Sequence, residues 1–125
     1  MPDRVFKLSR YLQPCEGEPI RSVVSQSPDA TLVAWVVQPG QRITPHVHPH
    51  GQDTWMVTSG AGEYQVDAQG RTVLITAGDV VIAAAGEVHG VIAAAGEVHG
   101  VRCTGAEPLV FMSVVCPAEA GYAAL

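Results

Sequence analysis

The sequence has little charge and few aromatic side chains. Of its 125 residues, 15% are charged and 6% aromatic, while 47% are hydrophobic. Because disordered chains are rich in charge and poor in apolar residues, this composition predicts one globular domain with a single core. A net charge of −5 provides no attraction to nucleic acid or to an anionic membrane, so we expect neither as a partner.

Membrane-targeting features are also missing from the sequence. No apolar run approaches the roughly 20 residues that a membrane-spanning helix needs. Residues 1–7 carry charges where a signal peptide needs an apolar segment. The three cysteines, Cys15, Cys103 and Cys116, are widely spaced and cannot all pair. We therefore expect reduced thiols in a cytoplasmic protein, and no metal site built from cysteine.

No segment longer than a turn or two has the apolar period of a helix, and only residues 8–12 predict one helical turn. Short runs rich in Val, Ile, Thr and aromatic residues, bounded by Gly, Pro, Asp or Ser, predict strands instead. The predicted strands are residues 21–25, 32–37, 43–48, 53–58, 62–66, 72–75, 80–83 and 109–115, and one that contains His89 or His99. Many short strands at regular spacing predict an all-β barrel or sandwich.

One short stretch concentrates side chains that bind metal ions. His46 and His48 are two residues apart, so in a strand they share one face, roughly 6–7 Å from each other. His50 lies in a predicted Pro-His-Gly turn, and Gln52 follows that turn at the start of the next strand. A returning strand would bring Gln52 back beside the histidine pair. Two imidazoles in this arrangement can converge on one divalent ion.

A third imidazole must come from a tandem repeat. Residues 81–90 recur residue for residue as residues 91–100, which places the same Gly-Glu-Val-His-Gly sequence around His89 and His99. Such a copy is too short for a solenoid repeat and indicates a duplication or an insertion. Ten extended residues span about 33 Å, so one uninterrupted strand cannot bring both histidines to one ion. We expect a single ligand and favour His99, because the surplus residues then form a loop between strands.

The spacing of these residues resembles the two sequence motifs of the cupin superfamily. The first motif is matched by Gly40-x5-His46-x-His48-x4-Asp53-x6-Gly60, with aspartate at the usual glutamate position. The second is matched by Gly78-x5-Ala84-x-Gly86-x2-His89, with alanine at the usual proline position. The resemblance covers roughly residues 30–116.

The resemblance implies a single-domain antiparallel β-barrel of the double-stranded β-helix type, which is jelly-roll-like. The barrel would occupy residues 30–116. Residues 1–29 would form an N-terminal segment with short strands, and residues 117–125 a loosely docked tail. Cupins also form dimers frequently. Strands that are apolar on both faces, such as residues 32–37, independently predict a homodimer.

The resemblance further implies a metal held inside the barrel by three histidines and one oxygen ligand. Gln52 and Asp53 are both candidates for the oxygen ligand, and they lie on opposite faces if both belong to one strand. The run from His46 to Gln52 is similar to cupins that use a glutamine, which favours Gln52. The predicted ligands are therefore His46, His48, Gln52 and His99, with His89 as the alternative to His99. The ion would be Mn, Fe, Zn or Ni.

Several functions are compatible with this family, since the resemblance extends over dioxygenases, isomerases, decarboxylases and lyases and a fold does not select among them. We expect a metal-dependent enzyme acting on a small oxygenated organic molecule, as a dioxygenase or a Lewis-acid isomerase or lyase. The alternative is a non-catalytic module that binds or senses a small ligand through its metal. Arg42 and Arg102 are candidates to bind a substrate carboxylate.

Overall fold

The computed structural model describes residues 4–84, 87–89, 92–94 and 99–124. Within these ranges the chain is almost entirely strand and turn, which confirms the predicted all-β class. The helical element found there is a short 3₁₀ turn, Leu8–Tyr11, at the position where a single helical turn is predicted. Among the same residues, no helix is long and apolar enough to cross a membrane.

Twelve strands follow one another along the described chain. They are β1 (Ser22–Gln26), β2 (Thr31–Val37), β3 (Arg42–Val47), β4 (Gln52–Ser59), β5 (Ala61–Gln65), β6 (Thr72–Thr76), β7 (Val80–Ala83), β8 (Glu87–His89), β9 (Ile92–Ala94), β10 (His99–Cys103), β11 (Leu109–Cys116) and β12 (Ala123–Ala124). Every strand predicted with definite bounds is present, and no end is displaced by more than one residue. Runs of Val, Ile, Thr and aromatic residues between turn-forming residues are therefore sufficient to locate these strands.

Two five-stranded sheets, antiparallel throughout, form the body of the protein. The first has the strand order β1-β2-β11-β4-β7 and the second β12-β3-β10-β5-β6. The apolar core lies between them, because inward-facing side chains of both sheets pack together. Its largest members are Trp55, Leu109 and Phe111 from the first sheet and Tyr64 and Ile75 from the second. This arrangement agrees with the predicted antiparallel barrel architecture.

The two copies of the repeat adopt different structures. Ile82-Ala83 of the first copy belongs to β7 and pairs with β4, whereas the same residues of the second copy begin β9 and pair with β8. His89 ends β8, in the separate β8–β9 hairpin, whereas His99 begins β10 in the second sheet. The surplus residues therefore lie between β7 and β10, where a loop was expected, and part of them forms a hairpin.

The C-terminal tail, which we expected to be loosely docked, is hydrogen-bonded to the second sheet. Ala123 and Ala124 of β12 pair with Val47 and His46 of β3. The backbone N–H of His50 donates to Ala120 O at 2.7 Å. Gly51 makes this contact possible, because a Cβ at that position would lie 2.7 Å from Cys116 O and still closer to Ala120.

The outer face of the first sheet has an exposed apolar row, which we define as Val80, Met56 and Met112. These residues are cross-strand partners on β7, β4 and β11. Val80 is 59% exposed and Met56 is 40% exposed, whereas Met112 is half-buried; Ile82, also on β7, is 55% exposed. Contiguous apolar surface of this kind is characteristic of interaction surfaces.

Candidate metal centre

Three histidines and one carboxylate converge at one end of the space between the sheets. The ring centroids of His46 and His48 are 4.9 Å apart, and those of His46 and His99 are 4.4 Å apart. Asp53 Oδ2 lies 3.2 Å from His48 Nε2 and 3.4 Å from His99 Nε2. One potential ligand atom from each of the four residues lies within 4.8 Å of the others. The same-face placement of His46 and His48 thus takes the form that their spacing predicts.

Strand pairing brings the third histidine to the other two. His99 is the cross-strand partner of His46, and the register between β10 and β3 shifts immediately after it. Gly100 permits the close approach of the two strands at this shift, because a Cβ there would lie 2.9 Å from Ile43 O and 3.0 Å from Pro45. His99 is completely buried.

Backbone carbonyls orient two of the three rings. His46 Nδ1 is 2.7 Å from Thr44 O, and His48 Nδ1 is 2.8 Å from Gly121 O. A carbonyl oxygen can only accept, so we infer that Nδ1 carries the proton in both neutral rings and that each Nε2 has a free lone pair. Metal-binding histidines are commonly held in this way.

Several nitrogen atoms of the cluster are buried without a satisfactory partner. In the part of the chain that the structure describes, His48 Nε2 and both ring nitrogens of His99 have no hydrogen bond of good geometry. His48 Nε2 instead faces the Asp53 carboxylate with its lone pair. Two electron-rich atoms only 3.2 Å apart require a cation between them, either a proton or a metal ion. The residues present therefore fit a bound metal ion.

The charge states within the cluster also suit a divalent ion. Burial raises the pKa of Asp53. His48, His99 and the Ser113 hydroxyl together lower this pKa by more than burial raises it, so the net shift is downward. Burial lowers the pKa of His99 to about 3 and also lowers that of His46. Burial lowers the pKa of His48 too, but the Asp53 carboxylate and a backbone carbonyl raise it more, so the net shift is upward. The site thus offers two neutral imidazoles, a His48 ring that binds its proton more tightly, and one carboxylate, a donor set that suits Mn, Fe, Ni or Zn once the His48 proton is displaced.

Gln52, which the sequence favoured as the oxygen ligand, lies outside the cluster. Its side chain is exposed, and Nε2 donates to Thr54 Oγ1 at 3.1 Å. Asp53 is buried on the opposite face of β4, because successive side chains of a strand alternate. The structure therefore places Asp53 beside the histidines, which corresponds to the alternative that the sequence left open.

The remaining two histidines are not seen in the cluster. His50 lies in the turn between β3 and β4 with an exposed side chain. His89 lies in β8, and its side chain is outside the described part of the chain. The cluster accordingly contains His99, the histidine of the second copy of the repeat.

A cavity of about 450 Å³ adjoins the cluster, and His46, His48 and Asp53 form part of its lining. This volume is typical of sites for small organic molecules. Apolar side chains form one wall of the cavity: Val33, Trp35, Trp55 and Val115. Tyr122 of the tail also lines it, with its ring stacked on that of His46 at a centroid distance of 4.8 Å.

Charged side chains lie at the cavity as well. Arg42, a candidate from the sequence, lines it together with Arg21 and Glu18. Arg102, the other candidate, is not part of the lining and forms an ion pair with Glu63 at 2.9 Å. Sequence reasoning therefore identified one of the two arginines at the cavity.

Three residues of the site were not identified from the sequence: Ser113, Arg21 and Tyr122. Ser113 donates to Asp53 Oδ1 at 2.6 Å. A pattern could have revealed it, because Ser113 is the one polar residue among the inward-facing positions of β11, after Leu109 and Phe111 and before Val115. Arg21 and Tyr122 have no comparable signal in the sequence.

Comparison with known proteins identifies relatives of this fold. A family profile described as "Cupin domain" matches residues 33–95, just over half of the chain. No curated protein shows a significant match.

Solved structures match over most of the chain. An uncharacterised conserved protein with a double-stranded β-helix domain from Klebsiella pneumoniae is 45% identical, with a TM-score of 0.87 over 98% of this chain and 97% of that one. TT1209 from Thermus thermophilus is 23% identical, with a TM-score of 0.76 over 91% of this chain and 97% of that one. KdgF from Halomonas sp. is 23% identical, with a TM-score of 0.65 over 84% of each chain. The last two similarities concern the fold alone.

Proposed function

The chain belongs to the cupin superfamily, and on that premise we propose that it is a metal-dependent enzyme. His46, His48, His99 and Asp53 hold one divalent ion, and a small oxygenated organic molecule reacts in the adjoining cavity. The reaction is that of a dioxygenase or of a Lewis-acid isomerase or lyase. The observation that carries the proposal is the close approach of His48 Nε2 and Asp53 Oδ2, at 3.2 Å and without a hydrogen bond of good geometry.

The chain prepares these ligands before an ion arrives. Thr44 O and Gly121 O fix the rings of His46 and His48 with Nε2 directed into the cluster. Ser113 occupies Oδ1 of Asp53, which leaves Oδ2 for the ion. Pre-oriented ligands of this kind make metal binding tighter, and losing such a partner typically lowers affinity about 10–100-fold.

The cavity supplies the conditions for chemistry. A divalent ion held by His46, His48, His99 and Asp53 would supply Lewis-acid chemistry, or redox chemistry in the case of iron. Trp35 and Trp55 form an apolar wall next to the ligands and exclude water from that side. All three cysteines are free thiols, which agrees with a reducing, cytoplasmic location.

The proposal is tested first by metal content. After reconstitution with Mn, Fe, Zn or Ni, we expect one ion per chain in the wild type and none in the double variant His46→Ala/His48→Ala. His50→Ala is the matched control, since His50 is an exposed histidine of the adjacent turn. Stoichiometric metal in the double variant would overturn the assignment of the site.

Turnover is tested next, with the metal-loaded protein. We expect metal-dependent consumption of oxygen, or conversion of a member of a panel of β-dicarbonyls, flavonols and uronates. Saturable binding of panel members without any turnover would contradict an enzyme and identify a binding or sensor module instead. The two measurements separate the existence of the metal site from its use in catalysis.

A further inference from the structure

We propose that Arg21 makes the cavity a site for a small organic carboxylate, which its guanidinium holds while another oxygen of the molecule faces the histidine–aspartate cluster. This inference rests on the proposed function, because it names the class of substrate for the same site.

The position of Arg21 in the fold directs it to the cavity. Arg21 immediately precedes β1, two residues before Val23, so the two side chains share a face of the strand. The cross-strand partner of Val23 is Val33, and both Val33 and Arg21 line the cavity. Ser22 lies on the other face, where Gln13 Nε2 donates to its hydroxyl at 2.9 Å. The alternation thus places Arg21 on the inner side of the first sheet.

Arg21, like Arg42, has no anionic partner in the described ranges, in contrast to Arg71 and Arg102. Arg71 is paired with Asp67 and Arg102 with Glu63. Within the described ranges, the Arg21 guanidinium makes no hydrogen bond or ion pair, although its charge acts on the His48 imidazole. An unpaired guanidinium beside a metal-type cluster is free to receive a ligand.

The charges around the cavity favour an anion once the metal is present. Arg21 and Arg42 balance Glu18 and Asp53 among the lining residues, so a bound divalent ion leaves a positive excess. Charges next to apolar walls focus their field on the enclosed space. A guanidinium also matches a carboxylate through two parallel hydrogen bonds, which selects it over uncharged groups.

Arg42 is the less suitable of the two arginines. It is the cross-strand partner of Arg102, and it also borders a second, smaller cavity that Arg102 and Glu63 line. Its side chain thus lies where the rim of the metal-site cavity meets the exposed surface of the second sheet. We therefore assign the carboxylate contact to Arg21.

Binding to the metal-loaded protein tests the inference. The probes are oxalate, malonate, succinate and galacturonate, each compared by calorimetry with an uncharged counterpart: oxamide, malonamide, succinamide and galactose. We expect at least one carboxylate to bind at least tenfold more tightly than its counterpart, and Arg21→Ala to abolish that preference. A tenfold loss corresponds to about 1.4 kcal/mol. We expect Arg21→Lys to retain part of the preference, because lysine keeps the positive charge but cannot donate two parallel hydrogen bonds to the carboxylate.

Two controls keep the result interpretable. Arg102→Ala removes an arginine that is already paired with Glu63 and should leave every dissociation constant unchanged. Metal content is measured in each sample, and we expect Arg21→Ala to retain one ion per chain. Equal binding of carboxylates by wild type and Arg21→Ala would overturn the inference, because the metal alone would then hold the anion.

Failure of the inference is distinguishable from failure of the proposed function. If the wild type holds one ion per chain and no carboxylate binds, the inference is wrong and the metal site stands. If no metal binds, the proposed function is wrong, and the same titrations with the metal-free protein test the role of Arg21. An Arg21-dependent preference for a carboxylate then upholds the inference, and its absence refutes it.

Discussion

Replacing Asp53 with asparagine should remove most of the metal affinity while preserving the fold. The change keeps the size of the side chain and an oxygen that can accept from Ser113, now 2.6 Å away. It removes the negative charge that faces His48 Nε2 and His99 Nε2. Opposite unit charges about 4 Å apart interact by about 4 kcal/mol at an effective dielectric constant of about 20. We therefore expect the dissociation constant of the metal to rise by about 10²–10³-fold.

The loss of metal affinity in Asp53→Asn can be measured as a smaller metal-induced increase in thermal stability. At a metal concentration about 1,000 times the wild-type dissociation constant, binding adds about 4.1 kcal/mol to the free energy of unfolding. In Asp53→Asn the same concentration would add only about 0.4–1.4 kcal/mol. For a domain of this length, these values correspond to a rise in Tm of about 10–20 °C in the wild type and less than about 7 °C in the variant.

Thermal unfolding with and without metal provides the assay, with Gln52→Ala as its control. Gln52 precedes Asp53, but its side chain is exposed and donates to Thr54, so its removal should leave the metal-induced rise in Tm intact. The reasoning would be refuted if Asp53→Asn kept the full rise while Gln52→Ala lost it. That outcome would return the oxygen ligand to Gln52.

Three further predictions concern the histidines and the assembly. His99→Ala should weaken metal binding, measured by competition with a chelator, whereas His89→Ala should leave it unchanged; the reverse result would assign the first copy to the site. Metal affinity should fall as the pH drops through the pKa of His48, which lies above its usual 6.5, because a proton then occupies the metal-binding nitrogen. A pH-independent affinity between about pH 5 and 8 would exclude His48 as a ligand. Sedimentation at micromolar concentration should give the mass of a homodimer, and Met56→Glu in the exposed apolar row of the first sheet should give a monomer; a monomeric wild type would contradict the prediction.

Features governed by the local sequence could be predicted. The strand bounds follow from runs of Val, Ile, Thr and aromatic residues between turn-forming residues, and the shared face of His46 and His48 follows from their spacing of two. The family motifs extended this local information to the expectation of an antiparallel barrel with a histidine cluster.

The choice between Gln52 and Asp53 could not be made locally. The two residues lie on opposite faces of β4, and which face is inward depends on the pairing of β4 with β11, about 60 residues away. Asp53 is the partner of Val115, and it accepts a hydrogen bond from Ser113. The inward face is thus defined by contacts that a pattern within β4 does not contain.

Contacts between distant parts of the chain were not predictable either. The carbonyl of Gly121 orients His48 from 73 residues away. The tail around it is small and weakly apolar, without a strand signal, and it is ordered by pairing with β3. Arg21 likewise lies at the cavity only because β1 pairs with β2.

The tandem repeat gives the chain a spare copy of one site residue. His89 is followed by Gly-Val, as is His99, so a shift of the chain by ten residues would place the same three residues beside β3 and β5. The two arrangements differ beyond the repeat. Arg102 and Cys103 occupy positions that Ile92 and Ala93 would take after such a shift. The β8–β9 hairpin would be lost, because residues from both of its strands would then form β10.

Because His89 can take the place of His99, there is an upper limit on how much the loss of His99 alone can weaken metal binding. The shift would break the exposed Arg102–Glu63 pair, which is worth up to about 1 kcal/mol. It would also replace the buried Cys103 with a smaller residue and move ten residues into the loop before β11. Tripling that loop costs about 1 kcal/mol. Loss of His99 therefore cannot weaken metal binding by more than the free energy of the shift, and only the loss of both histidines reveals the full contribution of the third imidazole.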